Sequence, residues 1–175
     1  RVTPPADHAV VKVGGADPDT DSTVDDSNAS QVNGQTYGQT PVFTLTAGEM
    51  DPTIDFGLVE LVSIGDYVWF DLNADGQQDG ESGVAGATVA LLMEDPANLG
   101  TYIAATDAYG NAISSQVTDG DGLYDFGNLY PGNFKVRVTP PAGLILTPNG
   151  GLDPDVDLSN TDNNGIKVVG QNYVE

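Results

Sequence analysis

The segment Asp71-Leu72-Asn73-Ala74-Asp75-Gly76-Gln77-Gln78-Asp79-Gly80-Glu81 sets oxygen-bearing side chains at alternate positions around a central glycine. Counted from Asp71, the acids and amide at the first, third, fifth and ninth places, with glycine at the sixth, match the spacing of an EF-hand calcium loop. Alternate residues of a tightly turning loop aim at one centre. Asp71, Asn73, Asp75 and Asp79 would therefore offer side-chain oxygens and Gln77 its backbone carbonyl, while Gly76 permits the reversal. Calcium suits such a cage because it takes many hard oxygens in loose geometry, whereas magnesium demands a stricter octahedron. The twelfth place is Ser82, and the acid expected there, Glu81, comes one residue early. Two closures fit: Glu81 in altered geometry, or an acid from elsewhere such as Asp66. The competing reading is a solvated acidic turn, since Asp, Asn and Gly are common turn residues. The number of matching positions favours the ion. The flanking sequence is strand-like, so an EF-hand domain in the usual sense is not expected.

Two further sets of acids have metal-ligand spacing. Asp153, Asp155 and Asp157 recur as Asp17, Asp19 and Asp21, each set with proline after its first acid. Three carboxylates spaced by two on an extended segment face one side and repel unless a cation screens them. A solvated acidic loop is the alternative. Asp119-Gly120-Asp121-Gly122, with Asp125 beyond it, is a third candidate that a glycine hairpin turn explains equally well. Other chemistry is poorly supported. His8 is the one neutral-pH base and has no partner motif around it. Any two of so many carboxylates could imitate a glycosidase pair. Trp69, between Tyr67 and Phe70, reads as packing more readily than as a sugar platform. Asn28-Ala29-Ser30 is a glycosylation sequence meaningful only in a secretory host. A Lys–Asn crosslink from Lys12, Lys135 or Lys167 is not expected, because none stands in the strand that opens the second repeat.

Composition narrows the classes. The 175 residues hold 26 acidic and 5 basic side chains, a formal charge of −21, which argues against nucleic acid because phosphate binding needs a Lys/Arg footprint. With no Cys there is no disulfide frame, thiol nucleophile or thiolate zinc site. No apolar run approaches the roughly 20 residues of a membrane span. An apolar fraction of 39% suffices for a core. Asp outnumbers Glu 21 to 5, which fits turns and cation-binding loops better than helical surfaces. The chain opens at Arg1-Val2-Thr3-Pro4 without Met or a basic-then-apolar leader, as a mature chain or a fragment would.

The elements that must position these loops come in two copies. Arg1-Val2-Thr3-Pro4-Pro5-Ala6 recurs as Arg137-Val138-Thr139-Pro140-Pro141-Ala142. At the same offset Gly14-Gly15 matches Gly150-Gly151, and Gly34-Gln35 with Tyr37 matches Gly170-Gln171 with Tyr173. Residues 1–60 thus form the C-terminal part of one repeat and 61–175 most of the next. A competing alignment sets Tyr173-Val174-Glu175 on Leu58-Val59-Glu60, making the second copy a hairpin shorter. The ends fit a cut through a tandem array or strands shared between neighbouring subunits. Period-two alternation predicts strands at Pro41–Thr46, Thr53–Val59, Ser63–Phe70, Ala87–Met93, Thr101–Thr106, Leu123–Phe126 and around Phe134–Val138. Glycine and proline between them leave room for at most a small helix in 93–100 or 107–115. Many short strands with such turns predict an all-β sandwich.

Ile64-Gly65-Asp66-Tyr67-Val68-Trp69-Phe70-Asp71-Leu72-Asn73-Ala74-Asp75-Gly76 followed by Gly83-Val84-Ala85-Gly86-Ala87-Thr88-Val89 resembles the B repeat of serine–aspartate-repeat surface adhesins, the SdrD-like B domain. Asp121-Gly122-Leu123-Tyr124-Asp125-Phe126, Leu129-Tyr130-Pro131-Gly132 and Phe134-Lys135-Val136 fit the same family and its Cna-B-like relatives, and Asp55-Phe56-Gly57 resembles its closing strand. The resemblance covers 61–138 closely and the rest more loosely. It implies an Ig-like, Greek-key β-sandwich used in tandem as a stiff extracellular spacer, at the cell surface or in a secreted filament, with Asp71, Asn73, Asp75, Gln77 and Asp79 as Ca2+ ligands. The expected function is non-enzymatic, a calcium-rigidified rod or filament unit whose partners are adjacent repeats or copies of itself. The alternatives are a subunit joined to its neighbours by strand exchange, and an adhesin domain with an unidentified surface ligand. No nucleophile–base pair suggests an enzyme. Neither nucleic acid nor membrane insertion is expected.

Overall fold

A computed structural model describes residues 1–11, 27–78 and 80–147. The chain is all-β, of the Ig-like type, with no helix among the described residues. The strands are β1 (His8–Val10), β2 (Ser30–Gln31), β3 (Gly38–Gln39), β4 (Leu58–Glu60), β5 (Val62–Tyr67), β6 (Thr88–Glu94), β7 (Tyr102–Ala104), β8 (Gln116–Val117), β9 (Leu123–Leu129) and β10 (Phe134–Thr139). They pair antiparallel where register is defined, as β1–β4, β2–β3 and a four-stranded sheet in which β6 takes β10, β7 and β8; β5 pairs with β9.

The described chain divides into two compact units that do not follow the sequence as two blocks. The first holds the described part of Arg1–Ser63 together with Thr106–Ala112 and Gly127–Pro131. The second holds Ile64–Ala105, Ile113–Phe126 and the described residues from Gly132 onward.

In the second unit β6 is the hub. Val89, Leu91 and Met93 stand opposite Val138, Val136 and Phe134 of β10, so both strands present apolar side chains at alternate positions. Val84, Ala87, Val89, Leu91, Leu92, Ala105 and Phe126 are buried. Thr118 is also buried, and its hydroxyl is fully used: it accepts from the Ala87 N–H at 2.9 Å and donates to the Val84 carbonyl at 2.6 Å. The Lys135 ammonium lies 4.6 Å from the Tyr102 ring centre, keeping its charge at the surface. In the first unit Ala9, Val10, Ala29, Ala108 and Leu129 are buried.

Two expected strands differ. Pro41–Thr46 forms no strand, and Thr53–Val59 contributes only its last residues to β4. Side chains take part of the bonding a ladder would supply there. The Thr46 N–H and hydroxyl both reach Glu49 Oε2 at 2.8 Å, turning the chain. The Asp55 N–H donates to Asn28 Oδ1 at 2.7 Å and the Gly57 N–H to Ser27 Oγ at 3.1 Å. The segments 93–100 and 107–115 contain turns and no helix.

Candidate metal site

The loop from Asp71 to Glu81 is held at its neck by strand-like bonds. Trp69 bridges to Gly83, the Phe70 N–H donates to the Ser82 carbonyl at 2.9 Å, and the Val84 N–H to the Val68 carbonyl at 2.7 Å. Tyr67, at the end of β5, sends its hydroxyl to the Glu81 carbonyl at 2.7 Å. Tyr67 and Trp69, two apart on one face, stack with parallel rings 6.4 Å apart.

Inside the neck the loop curls around its first acid. Asp71 accepts from the Asp75 N–H through Oδ1 and from the Gly76 N–H through Oδ2, both at 3.1 Å. Asn73 Oδ1 accepts from the Asp75 N–H at 3.1 Å, and Asp75 Oδ1 from the Gln77 N–H at 2.8 Å. Asn73 Nδ2 donates to Asp75 Oδ2 at 2.8 Å, which joins the third and fifth positions. Ala74 (φ 61°) and Gly76 (φ 77°) adopt left-handed backbone. The strained alanine and the permissive glycine together turn Asp71, Asn73 and Asp75 into one curl.

Glu81 closes the curl. Its Oε1 accepts from the Leu72 N–H at 2.6 Å, across the mouth of the loop, while its Oε2 is buried with no hydrogen-bond partner. A buried carboxylate oxygen without a partner costs free energy, and a hard cation or a hydrogen-bond donor would satisfy it. The donor set of carboxylates and an amide oxygen is likewise that of calcium. Among the described residues no three His, Asp or Glu side chains already converge closely enough to chelate an ion. The Asp71, Asn73 and Asp75 oxygens bond to the loop's own amides, and Asp79, the ninth position, lies outside the described residues.

Asp66 lies on β5. Partial burial raises its carboxyl above the usual range, and the Tyr124 phenol is pushed up to about 12, first by burial and then by the Asp66 charge. Asp66 thus stands beside Tyr124 of β9, the strand that pairs with β5. Asp119 Oδ1 accepts from the Asp121 and Leu123 N–H groups, both at 2.9 Å, and so shapes the β8–β9 turn, leaving Asp121 exposed. Asp17, Asp19, Asp21, Asp153, Asp155 and Asp157 lie outside the described residues, as do Lys12 and Lys167. No motif marks Tyr67 as a brace of Glu81; its place two before Trp69 is the one available signal, since both then share a face.

Several known proteins are similar to this chain in sequence. The SdrD B-like domain family matches residues 62–172. A fibrinogen-binding protein of Staphylococcus epidermidis is 37% identical over 117 residues, covering 65% of this chain and 9% of that protein. Serine-aspartate repeat-containing protein F of the same species is 38% identical over 114 residues, covering 63% of this chain and 6% of the relative. Serine-aspartate repeat-containing protein C of Staphylococcus aureus is 34% identical over 133 residues, covering 70% of this chain and 13% of the relative. The chain thus spans a small part of each of these proteins.

Proposed function

Since the chain belongs to the SdrD B-like domain family, we propose that it is a non-enzymatic, calcium-rigidified structural repeat. It serves outside the cell as a stiff spacer or as a unit of a rod or filament. The observation that carries the calcium reading is Glu81 Oε2, buried without a partner at the mouth of a loop already curled around Asp71. The residues that would hold the ion are Asp71, Asn73, Asp75, Gln77, Asp79 and Glu81. Bound calcium would offset the repulsion of the clustered carboxylates and favour the folded chain over the unfolded one. Extracellular sites of this kind bind at roughly 10⁻⁴–10⁻³ M, matched to calcium-rich surroundings. The tandem copies support the spacer role, because stacked repeats make rods.

Thermal melts in calcium and in chelator test this. At a calcium level one hundred times Kd the ion should contribute about 2.7 kcal/mol, a rise of roughly 5–10 °C in a chain of this size. Identical melts would overturn the calcium reading.

A second reading, subunits joined by strand exchange, is favoured by one observation. Leu144-Ile145-Leu146 occupies the repeat positions of β1, yet forms no strand among the described residues, and Ile145 is 81% exposed where Ala9 is fully buried. Strand exchange predicts concentration-dependent self-association that Ile145→Asp abolishes. The adhesin reading would need an exposed aromatic patch, and Tyr67, Trp69 and Phe70 are each half-buried.

A further inference from the structure

The first compact unit takes in two segments from beyond Glu60, Thr106–Ala112 and Gly127–Pro131. Its contact with the earlier of them is specific. The turn after β2 donates the Gly34 N–H to the Tyr109 carbonyl at 2.6 Å. Gly110 sits against the side chain of Asn33: a Cβ built on Gly110 would overlap Asn33 Oδ1 and lie 3.8 Å from Asn33 Cα. Gly110 also has φ +87°, so both its backbone and its surroundings exclude a side chain.

The loop offered to this turn is rigid in its own right. Asp107 Oδ1 accepts from the Tyr109 N–H at 2.9 Å and the Asn111 N–H at 2.8 Å, while Oδ2 accepts from Asn111 Nδ2 at 2.9 Å. The Ala108 N–H donates to the Asn128 carbonyl at 2.8 Å, joining the two downstream segments. Ala108 and Leu129, one from each, are fully buried with Ala9, Val10 and Ala29. Part of the core of the first unit is therefore supplied by residues that the sequence repeat assigns to the second copy.

We infer that the Asn33–Gly34 turn is a docking surface for the Asp107–Asn111 loop of the repeat that follows it, and that residues 1–60 depend on this loop for their fold. The partner is a preorganised Asp-x-x-Gly-Asn turn. It presents a backbone carbonyl to the Gly34 N–H and a side-chain-free glycine to Asn33. A repeat completed in this way is coupled to its successor through packed core as well as through the covalent chain. The inference uses the spacer reading for its purpose and is independent of calcium.

Hydrogen exchange on the full chain, in calcium and in chelator, tests it. Gly110→Ala should speed exchange of the Gly34 amide and of residues 32–39 at least tenfold in both conditions, while Thr88–Glu94 keeps its protection. Asn33→Ala combined with Gly110→Ala should recover part of the loss, because it removes the overlapping oxygen. Unchanged exchange at Gly34 in Gly110→Ala would overturn the inference. A change that appears only in chelator would overturn it too, without touching the calcium reading.

Discussion

Glu81 is the residue on which the site turns. One carboxylate oxygen holds the Leu72 N–H and the other is buried and unpaired, so the side chain braces the loop and keeps one oxygen for the proposed ion. Its replacement separates the two roles. Glu81→Gln keeps an oxygen for Leu72 and removes the buried negative charge. The chelated protein should therefore melt at or slightly above the wild-type temperature. Calcium titration should show affinity reduced at least tenfold, about 1.4 kcal/mol. A variant that lost stability in chelator but kept its calcium response would show that Glu81 is only a brace. Glu94 poses a different question, that of pH. Asn133 Nδ2 and the Gly100 N–H, in that order, hold its carboxyl below its ordinary value of 4.5. A lowered carboxylate contributes stability that is present above the unfolded value and lost as pH falls through the folded one. The stability difference between wild type and Glu94→Gln should accordingly be largest above pH 4.5 and shrink in more acid solution, which urea unfolding across that range would measure.

Among the elements, β6 carries most of the second unit because it is the strand shared by β10, β7 and β8. Leu91 is 4% exposed at its centre, and Leu91→Ala should cost about 2–5 kcal/mol by lost burial and the cavity left behind. Leu72 makes the contrast. It lies 81% exposed in the Asp71 loop, and Leu72→Ala should change stability by less than about 0.5 kcal/mol. Denaturant melts of the two variants would check both figures. The two copies of Arg-Val-Thr-Pro-Pro-Ala show how far an element depends on its neighbours. Arg137-Val138-Thr139 closes a six-residue strand laddered to β6, whereas Val2 makes a single bridge to Gly38 and Arg1 lies over the Tyr37 ring at 3.6 Å.

For the whole molecule the governing quantity is charge. A formal charge of −21 over 175 residues repels itself in the folded state, and a few divalent ions offset only a small part of it. Screening and specific binding can be told apart. Raising sodium chloride in chelator should stabilise the wild type gradually and without saturation, because it shortens the Debye length. Calcium at constant ionic strength should stabilise it along a saturating curve. If sodium chloride reproduced the whole calcium effect, the loops would be solvated acidic surface rather than sites.

The all-β class and most strand positions were legible in the sequence, because each is a local signal: period-two alternation and glycine punctuation. The proline-bounded stretch Pro41–Val59 misled that reading. Its alternation is real, but the Asp55 and Gly57 N–H groups go to the Asn28 and Ser27 side chains, and only their carbonyls take backbone partners. Within the candidate site, spacing pointed to Glu81 and Asp66 alike as the closing acid. Only the fold turned Glu81 across the mouth of the loop and set Asp66 beside Tyr124. The membership of Thr106–Ala112 and Gly127–Pro131 in the first unit was likewise decided by tertiary structure alone. A sequence pattern records which residues can form an element, whereas long-range packing chooses which core that element completes.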